Sequence, residues 1–336
     1  VIHDCFDVNG KLIDIAPRSV LRRVLSFYEK QGWKPVVAPE LEFYLVTRNE
    51  DPDYPLVPPV GRNGRPETAR QSFSIDAVNE FDPIFEDMYD YCEAQELEVD
   101  TLIHESGAAQ MEINFLHGDA IDLADQVFLF KRTMREAAHR HGIYATFMAK
   151  PMSNEPGSAM HIHQSLEDMD GNNLFGTSEG GNSDLFMHFI AGLQKYTPAV
   201  TALLAPNVNS YRRLTFGESA PRNVQWGVEN RTCGLRVPFS EPRARRVENR
   251  FAGADANPYL ALAATLACGY LGMLEKLESM QEMKASAYDL PYSLFRLLEE
   301  SLSHLEQCEP IKDMLGERFI RAFVAVKRKE YETYFG

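Results

Sequence analysis

Glu40 and Glu42 stand two apart in an otherwise apolar run, VVAPELEF over 36–43. Side chains at i and i+2 of an extended chain share a face, so both carboxylates point the same way. On a half-exposed edge strand that pair needs nothing. On a buried face it is expensive unless a cation lies between the two charges. His161 and His163 repeat the spacing after Gly157-Ser158, with Ser165 next along the same face. That suits a metal or phosphate site, although one imidazole of the two can serve the fold alone. Glu105 and Glu112 are seven apart, which puts them on opposite faces of one straight strand. With Gly107 as a turn between them they converge from two paired strands instead.

The second chemical feature is residues 207–251, which hold nine arginines and no lysine in a chain of net charge −15. A solvated basic face normally mixes the two residues. Arginine alone points to forked, fixed donors for carboxylate or phosphate oxygens. At its end Arg246, Glu248 and Arg250 alternate as on one strand face, either as a salt-bridge ladder or as a carboxylate held for another task. Oxygen-rich carboxylates with one or two imidazoles suit Mg²⁺ or Mn²⁺ better than zinc. Divalent ions beside arginines are the means of phosphoryl transfer. The chain has neither GxxxxGK[ST] nor GxGxxG, which excludes a P-loop and gives no support to a dinucleotide fold.

These groups need rigid elements. Apolar periodicity predicts helices over 17–30, 83–97, 123–141, 183–196, 257–278, 291–305 and 317–334. Extended segments are expected over 35–46, 100–104, 109–116, 144–151 and 159–166, the second and third joined around Ser106-Gly107. Residues 47–72, with five prolines and four arginines, read as a long functional or mobile loop. No internal repeat or low-complexity linker interrupts the layout.

At 336 residues, 44% hydrophobic and 25% charged, the chain is an ordinary globular one. Its acidity argues against a nucleic-acid partner. Five widely spaced cysteines without a CxxC pair favour reduced thiols and a cytoplasmic protein. The longest uncharged run, 256–274, is interrupted by Asn257 and Pro258 and reads as a buried helix rather than a membrane span. The chain opens on Val1 as if already under way.

The pieces APELEF, HESGAAQMEINF, GSAMHIHQSL, NSYRRL, ENRTCGLRVP and RRVENRF-x5-NPYLALAA resemble, in order and spacing, the catalytic domain of glutamine synthetases. The likeness spans practically the whole of 1–336. It implies an α+β fold, an antiparallel-rich sheet curved into an open barrel and surrounded by helices, and assembly into a stacked-ring homo-oligomer, usually a dodecamer. The family's small N-terminal β-grasp domain has no counterpart here, and the first residues read as its tail or link.

Carried over residue by residue, the resemblance implies a first metal site at Glu42, Glu105 and Glu112, and a second at Glu40, His161 and Glu248. It implies two or more Mg²⁺ or Mn²⁺ ions per active site. His163, Ser165, Arg231, Arg236 and Arg246 fall around ATP. Arg213, Arg250, His161 and the Gly157 backbone fall around substrate glutamate, with Arg231, Arg213 and Ser219 at the reacting groups. The implied reaction activates glutamate as γ-glutamyl phosphate, which an amine then attacks. Two positions depart from the pattern. Ser219 stands where ammonia-using members carry a glutamate, with Glu218 one residue early, and Pro156 replaces the usual asparagine. Together these resemble the γ-glutamylpolyamine synthetase branch, which joins glutamate to putrescine or a related amine for catabolism. Ordinary glutamine synthetase and, more distantly, a non-catalytic structural relative are the alternatives. Tyr288 falls where some bacterial members are nucleotidylated, and equally reads as a plain loop tyrosine.

Overall fold

A computed structural model describes residues 2–51, 53–216 and 219–335. Val20, Leu21, Val24 and Tyr28 line one buried stripe of α1 (Pro17–Glu29), which opens on proline at its first position. It leads into β1 (Lys34–Thr47), the longest strand described. After the long loop come α2 (Ile75–Asn79), α3 (Asp82–Ala94), β2 (Val99–His104), β3 (Gln110–Phe115) and β4 (Gly118–Asp119). Then α4 (Ala120–Arg140), β5 (Ile143–Thr146), β6 (Met160–Glu167), α5 (Asp184–Leu204) and α6 (Val208–Phe216) follow. β7 (Trp226–Val228), β8 (Leu235–Val237), β9 (Val247–Asn249) and α7 (Pro258–Glu275) precede the C-terminal helices α8 (Leu298–Gln307), α9 (Glu309–Leu315) and α10 (Glu317–Phe335).

The strands form one mostly antiparallel, unclosed sheet in the order β2-β3-β1-β6-β9-β8-β7, with β4 and β5 also paired to β1. Among the described residues only β7 and β8 run parallel. This is the expected α+β architecture. Alternation divides the sheet into two chemical faces. Leu41, Phe43, Met111, Ile113, Ile162, Leu235 and Val247 are fully buried on the helix side. There Phe43 and Phe115 meet Phe130 of α4 edge-on, at 6.2 and 5.5 Å between ring centroids. Residues offset by one from these carry the glutamates and histidines on the opposite face.

Behind the sheet, α7 is buried around its whole circumference, as the uncharged run predicts. It crosses α5 so closely that a Cβ on Gly192 would lie 2.2 Å from the Cys268 carbonyl oxygen, and one on Gly272 2.2 Å from that of His188. Among the described residues no helix is long and apolar enough to cross a membrane. All five cysteines are free thiols.

Three expected segments change by more than a turn or for a tertiary reason. The strand expected over 144–151 stops at Thr146, because beyond it the Lys150 amide donates to Asn209 Oδ1 (2.8 Å) and the Ala149 carbonyl accepts from Ser158 (2.8 Å). The helix expected over 183–196 continues through Pro198 to Leu204, since Val200, Leu203 and Leu204 reach the core. Residues 291–297 are not helical. Ser293 bonds the backbone of Arg222 and Val224 instead, at 3.0 Å each.

Candidate active site

The ladder registers assemble the polar face. Glu42 lies directly opposite Glu112 across β1 and β3, and Glu40 opposite His161 across β1 and β6. His163 lies opposite Glu248 across β6 and β9, and Arg236 opposite Glu248 across β8 and β9. Glu105 follows β2 at the turn before β3, where its carboxylate accepts from the Ser106 amide at 3.0 Å. Gly107 is obligatory in that turn, because a Cβ there would lie 1.9 Å from Tyr44 Oη. The glutamates seven apart therefore do converge on one cleft.

This cleft has a volume of roughly 700 Å³ and takes Glu40, Glu42, Glu105, Glu112 and His161 on one wall. Gly157, Arg213, Ser219, Arg231, Arg236 and Arg250 complete it, with Tyr288 beside them. A second cleft of roughly 380 Å³ shares Glu40 and holds His163, Ser165 and Arg246. The expected glutamate and metal positions and part of the expected nucleotide positions thus fall in two neighbouring clefts on one face of the sheet, with Glu40 common to both. Glu218 lies outside the described residues.

Ligand atoms of Glu40, Glu112 and His161 lie within 4.8 Å of one another, as do those of Glu40, His163 and Glu248. Each trio mixes residues from sets that the resemblance keeps apart, and His163 joins the carboxylates rather than standing aside with the nucleotide. His163 Nε2 is 2.7 Å from Glu40 Oε1, and His161 Nδ1 is 3.5 Å from Glu40 Oε2.

Electrostatics divides the carboxylates. Burial and the charge of Glu105 push Glu42 well above the usual carboxylate range. Burial and the charge of Glu42 do the same to Glu112. Burial also opposes ionisation of Glu40, but hydrogen bonds with His161 and His163 outweigh it and hold its carboxyl far below that range. At Glu248, burial is overcome by the charges of His161 and Arg250, which bring the carboxyl down to about 2. Burial and the Arg250 charge lower His161 to about 4, so its ring is neutral and able to donate a lone pair. A neutral imidazole among oxygen donors, with two carboxylates that repel as they ionise, fits a hard divalent ion.

The arginines do unequal work. Arg236 Nη1 and Arg250 Nη1 both donate to Glu248, at 2.7 and 2.5 Å. Their Nε atoms are buried with no partner among the described residues. Arg213 is 3% exposed, and its fork donates to the carbonyls of Arg250 and Phe251, both at 2.9 Å. It holds the end of the β9 segment in place. Arg246 Nε reaches His163 Nδ1 at 3.2 Å, while Arg231 is exposed on the cleft wall. Gly157 is fixed by space, since a Cβ would meet Arg213 Cγ at 2.6 Å and the Ala149 carbonyl at 2.7 Å. Pro156 is buried, and its carbonyl accepts from Tyr44 Oη at 2.9 Å.

Sequence reasoning missed Gln110. Its amide nitrogen donates to Glu42 Oε2 at 3.2 Å and to the Gly157 carbonyl at 3.0 Å, tying a carboxylate of the acidic wall to the glycine loop. The signal was available, because Gln110 sits two residues before Glu112 on the same strand face. The buried pair of His104 and Glu67, with Nε2 and Oε1 2.8 Å apart, spans too many residues to be read from spacing.

A face that sets carboxylates and neutral imidazole against fixed guanidiniums defines a metal-assisted enzyme acting on anionic substrates. The chain belongs to the glutamine synthetase family: the profile described as glutamine synthetase, catalytic domain, matches residues 14–336. It is 37% identical over 330 residues to gamma-glutamylputrescine synthetase PuuA of Escherichia coli (strain K12), covering 96% of this chain and 69% of that one. It is also 37% identical over 335 residues to the glutamine synthetase of Pyrococcus horikoshii, covering 97% and 73%. The solved structure of apo GmaS without ligand superimposes with a TM-score of 0.84 at 29% identity, covering 97% of this chain and 75% of that one. The protein is therefore a ligase of the glutamate–amine or glutamate–ammonia type.

Proposed function

We propose that this enzyme joins the γ-carboxylate of glutamate to an organic amine, putrescine or another polyamine, through γ-glutamyl phosphate formed from ATP. The observation that carries the reading is Ser219, which lines the same cleft as Glu105 and Glu112. Ammonia-using members carry a carboxylate at this position, and the short hydroxyl leaves volume for a larger nucleophile while removing an ammonium ligand. Likeness to PuuA supports the choice, although overall identity to a glutamine synthetase is the same.

Glu40, Glu42, Glu105, Glu112, His161 and Glu248 would hold two or more Mg²⁺ or Mn²⁺ ions. Bound there, the ions supply neutralisation of charge on the transferring phosphoryl group. His163, Ser165 and Arg246 suit the nucleotide side of the shared wall. Arg231 and Arg236 offer donors to phosphoryl oxygens, and Arg250 to a substrate carboxylate. Arg213 acts through the backbone it grips, holding Arg250 where its side chain meets the cleft. The Gly157 backbone, kept bare by lack of space, can approach glutamate closely. The activated acyl phosphate turns an unreactive carboxylate into an electrophile with a good leaving group. By the same family likeness, 1–336 is one catalytic domain of a cytoplasmic, stacked-ring homo-oligomer.

The test is ATP-dependent ligation with ammonia and putrescine measured in parallel. A higher kcat/KM for putrescine is expected. A clearly higher value for ammonia would make this an ordinary glutamine synthetase.

A further inference from the structure

The mouth of the acidic cleft carries a ring that the fold gains nothing by placing there. Phe73 has φ of +62°, a conformation that glycine adopts freely and a bulky residue rarely. Its side chain is 68% exposed, so burial does not offset the strain. The position is nevertheless firmly held. The Phe73 amide donates to the His104 carbonyl at 2.8 Å. His104 is itself fully buried against Glu67, 2.8 Å away. On the other side Ser74 caps α2, accepting from the Ala77 amide at 3.3 Å. Backbone strain that the surroundings enforce, on a residue whose side chain is left in solvent, is characteristic of functional sites.

Phe73 lines the cleft together with Ile103, Ser106 and Ser219. Ile103 is paired opposite Glu112, so it lies on the polar face of the sheet as an apolar exception among the carboxylates. The two side chains give apolar surface to the cleft that Ser219 also lines. Ammonia has no use for such a surface, whereas a methylene chain does.

Resting on the reading of this enzyme as an amine ligase, we propose that Phe73, with Ile103, is a specificity-determining contact for the aliphatic chain of a primary alkylamine. This apolar surface is the complement of the acceptor's chain, and Ser219 provides room in the same cleft. No step of the ligation changes. The amine nitrogen still attacks the acyl phosphate, the carbon–oxygen bond to phosphate breaks, and phosphate leaves as a proton is lost from nitrogen.

The experiment uses the full-length enzyme, saturated with glutamate and ATP, and a series of n-alkylamines from ethylamine to pentylamine beside ammonia. In the parent, kcat/KM is expected to rise about two- to fourfold per methylene, the gain from partial to full burial of each group. Phe73→Gly removes the ring and relieves the backbone strain, so the slope should flatten while the melting temperature does not fall. Phe73→Asn, which also tolerates positive φ, should behave alike if the glycine variant folds poorly. A parent that prefers ammonia to every amine overturns the amine-ligase reading and this inference together. A parent that uses amines but shows no chain-length slope, or keeps its slope in both variants, overturns this inference alone.

Discussion

Glu42 and Glu112 face each other directly across the β1–β3 ladder, two carboxylates in a position where like charges are destabilising. Both are buried, and the repulsion falls on the face that also holds Glu40 and His161. Stability and ligand binding are therefore coupled through this pair.

Mn²⁺ should raise the thermal midpoint of the metal-free protein, by about 2.7 kcal/mol of stability at a hundredfold excess over Kd. Glu112→Gln should raise the metal-free midpoint slightly, worth up to about 1 kcal/mol, because the fold no longer has to protonate or repel a buried carboxylate opposite Glu42. It should also abolish most of the Mn²⁺ response. Differential scanning fluorimetry with Mn²⁺ and with chelator reads both. A glutamine variant that responds like the parent would remove Glu112 from the metal set.

Ser219→Glu restores a carboxylate at the cleft wall and should move acceptor preference toward ammonia. A tenfold or greater change in the ratio of kcat/KM values corresponds to about 1.4 kcal/mol of differential binding in the transition state. An unchanged ratio would show that the acceptor does not meet this wall.

Gly107→Ala should disturb the metal side without touching a ligand. The new methyl would displace Tyr44, whose hydroxyl bonds Gln110 Oε1 at 3.2 Å, and Gln110 in turn holds Glu42. A loss of about 1–3 kcal/mol in stability is expected, together with weaker Mn²⁺ stabilisation. Urea titration with and without the ion separates the two effects, and full retention of the ion response would break the chain from Gly107 to Glu42.

Arg213→Lys keeps the charge and loses the planar fork that spans two carbonyls. A cost of about 2 kcal/mol is expected, with a raised KM for glutamate as Arg250 loosens. Equal stability of variant and parent in urea would mean that the fork does not hold the 250–251 backbone.

The face of β1 that bears Glu40 and Glu42, and the matching face of β6, were legible because a period of two is a local property of the chain. Convergence of Glu105 and Glu112 needed only a turn, and Gly107 marked it. The helix α6 was hidden inside the arginine-rich segment, where charge drew attention from the spacing of Tyr211 and Leu214. Residues 291–297 have helical periodicity but bond Arg222 and Val224, a tertiary choice that no local window contains. The Glu67–His104 pair and the strained Phe73 that depends on it were illegible for the same reason. Even the metal trios, whose members were all named from sequence, regroup through Glu40 because register, not order along the chain, decides who meets whom.

The choice of arginine over lysine throughout 207–251 has a further consequence. Guanidinium stays protonated in proteins, and even Arg213, lowered by burial to about 10, keeps its charge near neutrality. The positive half of the site is therefore a constant, and the protein's share of any acidity profile at the cleft is written by its glutamates and histidines.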